Sequence, residues 1–209
     1  MSDKFPPTTT HELEVDGLLN ILGSVIPGQS AAYVSAPITS GRRFADWLKT
    51  RNLEGDLSHP ETYQDFQREV LEPNCEHARA IIGKLRKKFP RALIDPTALK
   101  DIDGWTQDDY RYLWAKVIEQ YAETVVFVDG WQYSNGCSYE FLTASRLGEE
   151  KQRLVLKENL EPLTVAEGLT LLKAAITHMQ TSHLPTAFLE RTVDELTKVG
   201  SREEICAEP

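Results

Sequence analysis

Long apolar runs are missing from this chain: no stretch of the 209 residues approaches the roughly eighteen consecutive apolar positions that a spanning helix needs. The N-terminus also lacks a charged segment followed by an apolar run, so no secretory leader is expected and a cytoplasmic location is the default expectation. Cysteine is scarce. Cys75, Cys137 and Cys206 stand far apart with no C-x-x-C pair, which argues against a zinc ribbon or disulfide framework and fits a reducing compartment. Positive charge is in deficit as well: the net charge is −9 and the pI about 5.1. A nucleic-acid backbone or an anionic membrane needs a basic footprint, so neither is expected as the main partner. Only Arg42-Arg43 and Lys84-Leu-Arg-Lys-Lys88 form local basic patches that suit a phosphate. Neither G-x-G-x-x-G nor G-K-[ST] occurs, which speaks against ordinary dinucleotide or P-loop binding. The five histidines show neither His-x-x-x-His nor a His-Asp-Ser arrangement, so no metal is expected.

What remains is an ordinary globular composition, 41% apolar and 26% charged, in a chain long enough for one α/β domain with an appendage. Helical spacing is expected over Leu13–Ile26, and Ala31–Ala36 reads as a first strand closed by Pro37. A helical turn follows at Phe44–Leu48, and then a long loop from Asn52 to Pro60. The longest helical stripe runs from Pro60 to Leu85, and Pro73 inside it predicts a kink or break. A second strand is expected at Ala92–Asp95, a Thr106-capped helix to about Tyr121, a third strand at Val125–Val128, a helix over Ser138–Leu147 and a fourth strand at Arg153–Leu156. Two further helices follow, Thr164–Gln180 and Leu184–Val199, with loose polar tails at both ends of the chain. Alternation of strands and helices predicts a flavodoxin- or Rossmann-like α/β fold, a parallel sheet of four to five strands with extra C-terminal helices. The division is a tail and short helix (1–28), an α/β domain (29–160) and a helical extension (161–209).

The run Val125-Val-Phe-Val-Asp-Gly-Trp-Gln-Tyr-Ser-Asn-Gly-Cys-Ser-Tyr-Glu140 is the most informative segment. It reads as a buried strand, a glycine-containing turn, and a helix with Glu140 in its first turn. That layout puts the carboxylate at the C-terminal edge of a parallel sheet, where open α/β folds bind ligands, with unpaired helix N–H groups nearby to receive an anion.

Tyr33-Val-Ser-Ala-Pro-Ile-Thr-Ser-Gly41 resembles the first strand and substrate loop of the nucleoside 2-deoxyribosyltransferase-like superfamily. Gly130, Trp131, Ser134, Gly136, Glu140, Ala144 and Gly148 resemble its second motif, and the similarity spans roughly Ala31 to Leu156. Members cleave or exchange the N-glycosidic bond of deoxynucleosides or nucleoside monophosphates. The resemblance implies a nucleophile's role for Glu140, because cleavage builds positive charge at the anomeric carbon that a carboxylate stabilises or traps. It implies base or phosphate contacts from the loop that holds Tyr33, Ser35, Pro37, Thr39 and Gly41, a base-stacking face on Trp131, and sugar contacts from Ser134 and Asn135 beside Gly130 and Gly136. A small-molecule nucleoside or nucleotide, no metal or organic cofactor, and a homo-oligomer completing its sites across subunits follow from the same likeness. The sequence departs from the pattern in one respect. Where active members carry sugar-orienting acids, it reads Leu113-Trp114-Ala115 and Ser134-Asn135, and Asp108 and Asp109 lie too early to substitute.

Each residue also has a structural reading. An acid near a helix start suits the dipole, Gly130 to Gly136 suit any strand-to-helix turn, and Trp131 can lid the core. Asp95, at the end of a strand, is placed for a ligand contact or for capping the turn before Pro96. Cys137 stands at a helix start without a histidine to pair with it and reads as a small residue of the motif. The expected function is therefore an N-glycosidic-bond hydrolase or transferase, with a nucleotide-binding sensor without turnover and an NAD-cleaving enzyme as the alternatives.

Overall fold

The computed structural model describes residues 5–26, 30–51, 59–151 and 154–206, without the side chains of 148–151 and 201–206. Strands β1 (Ala31–Ser35), β2 (Ala92–Ile94), β3 (Ala122–Phe127) and β4 (Leu154–Lys157) pair in the order β2-β1-β3-β4, all parallel. This is the flavodoxin-like order expected of strands that alternate with helices. β1 and β3 are near-continuous apolar runs because both faces of a parallel sheet are covered.

Alternation along the strands separates two cores. Ala31, Tyr33, Val125 and Phe127 face the side occupied by α5 (Gln107–Tyr121) and α6 (Asn135–Lys151), while Val34, Val126 and Val128 pack against Ile81, Ile82 and Leu85 of α4 (Glu72–Leu85). Helix α1 (Glu12–Val25) joins the first side through Val15 and Leu19, and the Tyr121 hydroxyl donates to the Leu19 carbonyl at 2.7 Å. The C-terminal helices α7 (Val165–Thr181) and α8 (Ala187–Cys206) pack on α6 as a further layer, burying Leu172, Leu189 and Leu196 in the same core as Phe141.

Pro73 does not break its helix. The segment runs from α3 (Pro60–Phe66) through a widened π turn (Gln67–Leu71) into α4, so the proline sits where its missing N–H is absorbed. Helix α2 spans Arg42–Arg51, longer than the single turn expected. α5 has the expected Thr106 cap, reinforced by the Asp109 carboxylate accepting from the Thr106 backbone at 2.7 Å. The loop expected at Asn52–Pro60, the helix stop at Pro27-Gly28, the start of the fourth strand at Arg153 and the tail before Phe5 lie wholly or largely outside the described residues.

Candidate functional site

Two loops meet at the carboxyl ends of β1 and β3, where the strand order reverses. The first, Ala36 to Gly41, is fixed from beneath by Asn74 of α4. This buried amide donates to the Ile38 carbonyl (2.9 Å) and the Ser40 carbonyl (3.0 Å), and its oxygen accepts from the Arg43 guanidinium (2.8 Å). Gly41 closes the loop at φ +91°, and a Cβ there would stand 2.6 Å from that of Pro37. The second loop leaves β3 through Asp129 and Gly130, which adopts φ +84° and feeds a single 3₁₀ turn, Trp131–Tyr133. Ser134 then caps α6, its hydroxyl accepting from the Cys137 N–H at 3.3 Å and from the Ser40 hydroxyl at 2.8 Å. That hydroxyl contact joins the two loops.

Beside the junction a cleft of about 360 Å³ opens over the α4 face of the sheet, lined by Pro37, Arg42, Arg43, Asn74, His77 and the Gly130 backbone among others. Arg42 is paired at 3.6 Å with Asp46 on the same rim. The cleft thus carries cationic groups, hydrogen-bonding groups and two carboxylates, Asp46 and Asp129, around an opening at the switch point of the sheet.

Glu140 is not on that surface. It lies on the α5–α6 side, 6% exposed, and accepts a hydrogen bond from the Tyr33 hydroxyl at 2.9 Å. Burial pushes its carboxyl up from 4.5 to about 7, against a smaller lowering by the hydroxyls of Ser35 and Tyr33, and no cation contributes. The Ser35 hydroxyl is fully buried and makes no hydrogen bond of regular geometry. Burial likewise raises the Tyr33 phenol, with Glu140 the next cause, so Tyr33 remains a donor. The Cys137 thiol, also buried beside Glu140, is pushed up to about 12 and is not a nucleophile at neutral pH.

The sequence-expected residues therefore fall into separate groups. Tyr33, Ser35 and Glu140 come together, inside the protein instead of in an open crevice. Helix α6 starts at Asn135, so Glu140 sits in its second turn, beyond the reach of the dipole that would have kept it ionised. Pro37 and Gly130 line the cleft, and Gly41 closes its loop. Thr39 is exposed. Ser134, expected to bind a sugar, serves as the α6 cap, while Asn135 and Gly136 form the first turn of that helix. Trp131 has no face for a base. It is 3% exposed, with its ring 5.1 Å from that of Phe127 and 4.7 Å from that of Phe141, because the 3₁₀ turn folds it back under the strand. Asp95 caps the turn after β2, accepting from the Thr97 N–H (2.9 Å) and hydroxyl (2.6 Å), and lines a different cleft. Asp108 pairs with Arg111 at 2.6 Å and Asp109 belongs to the α5 cap, so neither is a sugar ligand in place.

Asn74 and His77 were not singled out by sequence, although Asn74 had a signal: it interrupts the apolar stripe of its helix between Val70 and Ala78, where a buried amide needs partners. Among the described residues no group of three or more His, Cys, Asp or Glu is placed to hold a metal ion, and no helix is long and apolar enough to cross a membrane. Comparison with protein-family models, with curated proteins and with solved structures found no match to this chain.

Proposed function

We propose that this protein binds a nucleoside or nucleotide in the cleft between the β1–α2 and β3–α6 loops and holds it without turnover. The observation that carries this reading is the opposition of two faces. Arg42, Arg43, Asn74 and His77, together with the carboxylates of Asp46 and Asp129, surround an opening over α4, while Glu140, the acid the family likeness singles out, lies buried across the sheet. The location agrees with the rule that open parallel sheets bind ligands where strand order reverses. Arg42, Arg43 and His77 suit a phosphate or an electron-rich base edge, and the Gly130 backbone permits close approach.

A second reading, an N-glycosidic-bond hydrolase or transferase, is favoured by one observation. Glu140 is a buried carboxyl with hydroxyl partners and no cation, and such perturbed acids cluster at functional sites. In that reading Tyr33 orients the carboxylate and Ser35 supplies a free donor. One experiment separates the two. The protein is incubated with a panel of nucleosides, their monophosphates and NAD, and both saturable binding and release of free base are measured. Binding without base release, unchanged by Glu140→Gln and weakened by Arg42→Ala with His77→Ala, supports the sensor. Base release by the wild type that Glu140→Gln abolishes refutes it and supports the enzyme, NAD cleavage included.

A further inference from the structure

The Lys84–Lys88 basic run finds no use in the cleft just described, and the structure gives it a different setting. From Arg79 to Lys100 the chain carries seven basic residues and a single acid, Asp95, within a protein whose net charge is −9; acids resume at Asp101. Arg79 and Lys84 lie on α4, Arg86, Lys87 and Lys88 in the turn that follows it, Arg91 just before β2 and Lys100 just after the turn at Pro96–Ala98. Arg91 is engaged with Glu123, but Arg79, Lys84, Lys87, Lys88 and Lys100 form no ion pair among the described residues. Such concentrated like charge is self-repelling unless an anion offsets it.

The patch is concave. A cleft of about 480 Å³ lies between α4 and the turn after β2, bordered by Arg79, Gly83, Arg86, Asp95, Thr97 and Lys100. Its wall is open at Gly83, where an added Cβ meets no atom within 4 Å. Asp95 offsets only part of the positive charge: its Oδ1 accepts from the Thr97 N–H and hydroxyl, and its Oδ2 stands 4.0 Å from the Arg86 guanidinium, leaving Arg79 and Lys100 without an acid partner among the described residues. The switch-point cleft lies on the other flank of α4, lined by Asn74, His77 and Ala78, so the two do not share a wall residue.

We infer that this second cleft binds a small ligand through a di- or triphosphate group, with Arg79, Arg86 and Lys100 as its charge partners. Two forked guanidiniums and a point-charge ammonium around one opening match several phosphates better than one. The volume lies in the range of small-molecule sites. A long nucleic acid fits poorly, because the chain as a whole carries a net charge of −9 and repels an extended polyanion. The inference is independent of the proposed function, since it uses none of the same side chains.

The test titrates the full chain with inorganic tripolyphosphate and, separately, with adenosine triphosphate, by calorimetry at low and at physiological salt. One tripolyphosphate per chain is expected, weakening with salt and by about tenfold for each of Arg79→Ala, Arg86→Ala and Lys100→Ala. Gly83→Glu replaces an exposed helical glycine by a better helix former, so it folds, and it places a carboxylate in the opening; it should abolish binding. Arg42→Ala, in the other cleft, should leave tripolyphosphate binding unchanged even where it removes nucleoside binding, so either proposal can fail alone. Tighter binding of the adenosine compound would identify a nucleotide as the source, and equal binding a free phosphate chain. Absence of saturable binding to millimolar concentration overturns the inference. So does binding that survives Gly83→Glu, or saturation by oligonucleotides alone.

Discussion

Replacing Glu140 by glutamine asks directly whether the carboxyl is held in the protein as the structure describes. In the folded chain its pKa is about 7 instead of the ordinary 4.5, with burial the leading cause. The sign follows from proton binding. Between these two values the folded protein retains a proton that the unfolded chain has released, so stability falls as pH rises through this window. The contribution is fully present below about 4.5 and lost once pH passes the folded value. The gap corresponds to about 3 kcal/mol. Glutamine keeps the shape and can accept from the Tyr33 hydroxyl, but it does not titrate. The two proteins should therefore be of similar stability at pH 4.5, and the glutamine variant should be more stable by about 3 kcal/mol at pH 8. Urea unfolding of both proteins at half-unit steps from pH 4.5 to 8 measures this, and taking the difference removes all other titrating groups. A difference that stays flat with pH, or a wild type that is the more stable at pH 8, would refute the reasoning, because it would mean that the carboxylate is ionised and compensated in the fold.

Four other outcomes are expected. Asn74→Ala removes the two donors that hold the Ile38 and Ser40 carbonyls and the acceptor of Arg43; it should cost about 2 kcal/mol in chemical denaturation and weaken any ligand of the adjacent cleft. Gly41→Ala combines a left-handed φ with a 2.6 Å clash against Pro37, so thermal unfolding should show a loss of about 1–3 kcal/mol. Gly17→Ala, on open helix, should be neutral or slightly stabilising in the same assay. Trp131→Ala empties a space between Phe127 and Phe141 and should cost about 3–5 kcal/mol. Calorimetry below the unfolding temperature should show no change in nucleoside affinity, whereas a lost affinity would restore the stacking role.

The sheet was legible because its strands carry the apolar runs that double burial demands, and their order followed from the alternation with helices. The same double burial hid what matters most for function. Val125 to Val128 are all apolar, so no polar–apolar alternation announces which residues face α4 and which face α6, and the side on which Glu140 falls was not readable. The start of α6 shifted by three residues because Gly136 resembles a turn residue, while Ser134 three positions before Cys137 is a cap that takes asparagine and glycine into the helix. Trp131 was misplaced for a related reason. A strand that ends at Phe127 does not specify the 3₁₀ turn that returns the indole to the core.

The position of Glu140 within α6 sharpens the choice between holding a ligand and cleaving it. Cys137, Glu140, Phe141 and Ala144 recur at helical spacing, and all four are buried, so the carboxyl occupies a place on the stripe that packs toward β1. A hydrophobic or amide side chain there would avoid the cost of burying an acid, which means that stability alone does not account for glutamate. The neighbourhood is polar in kind: Tyr33 donates to the carboxyl, and Ser35 and Cys137 lie beside it. For this group to attack an anomeric carbon, a sugar would have to come within about 3 Å of it. Glu140 lies across the sheet from the cleft, covered by Tyr33 and the buried stripe of α6, so a ligand held at Arg42 and His77 does not reach it. The distinction between sensor and enzyme thus reduces to whether a sugar gains access to the α5–α6 side of the sheet, where Tyr33 and Ser35 flank the carboxyl.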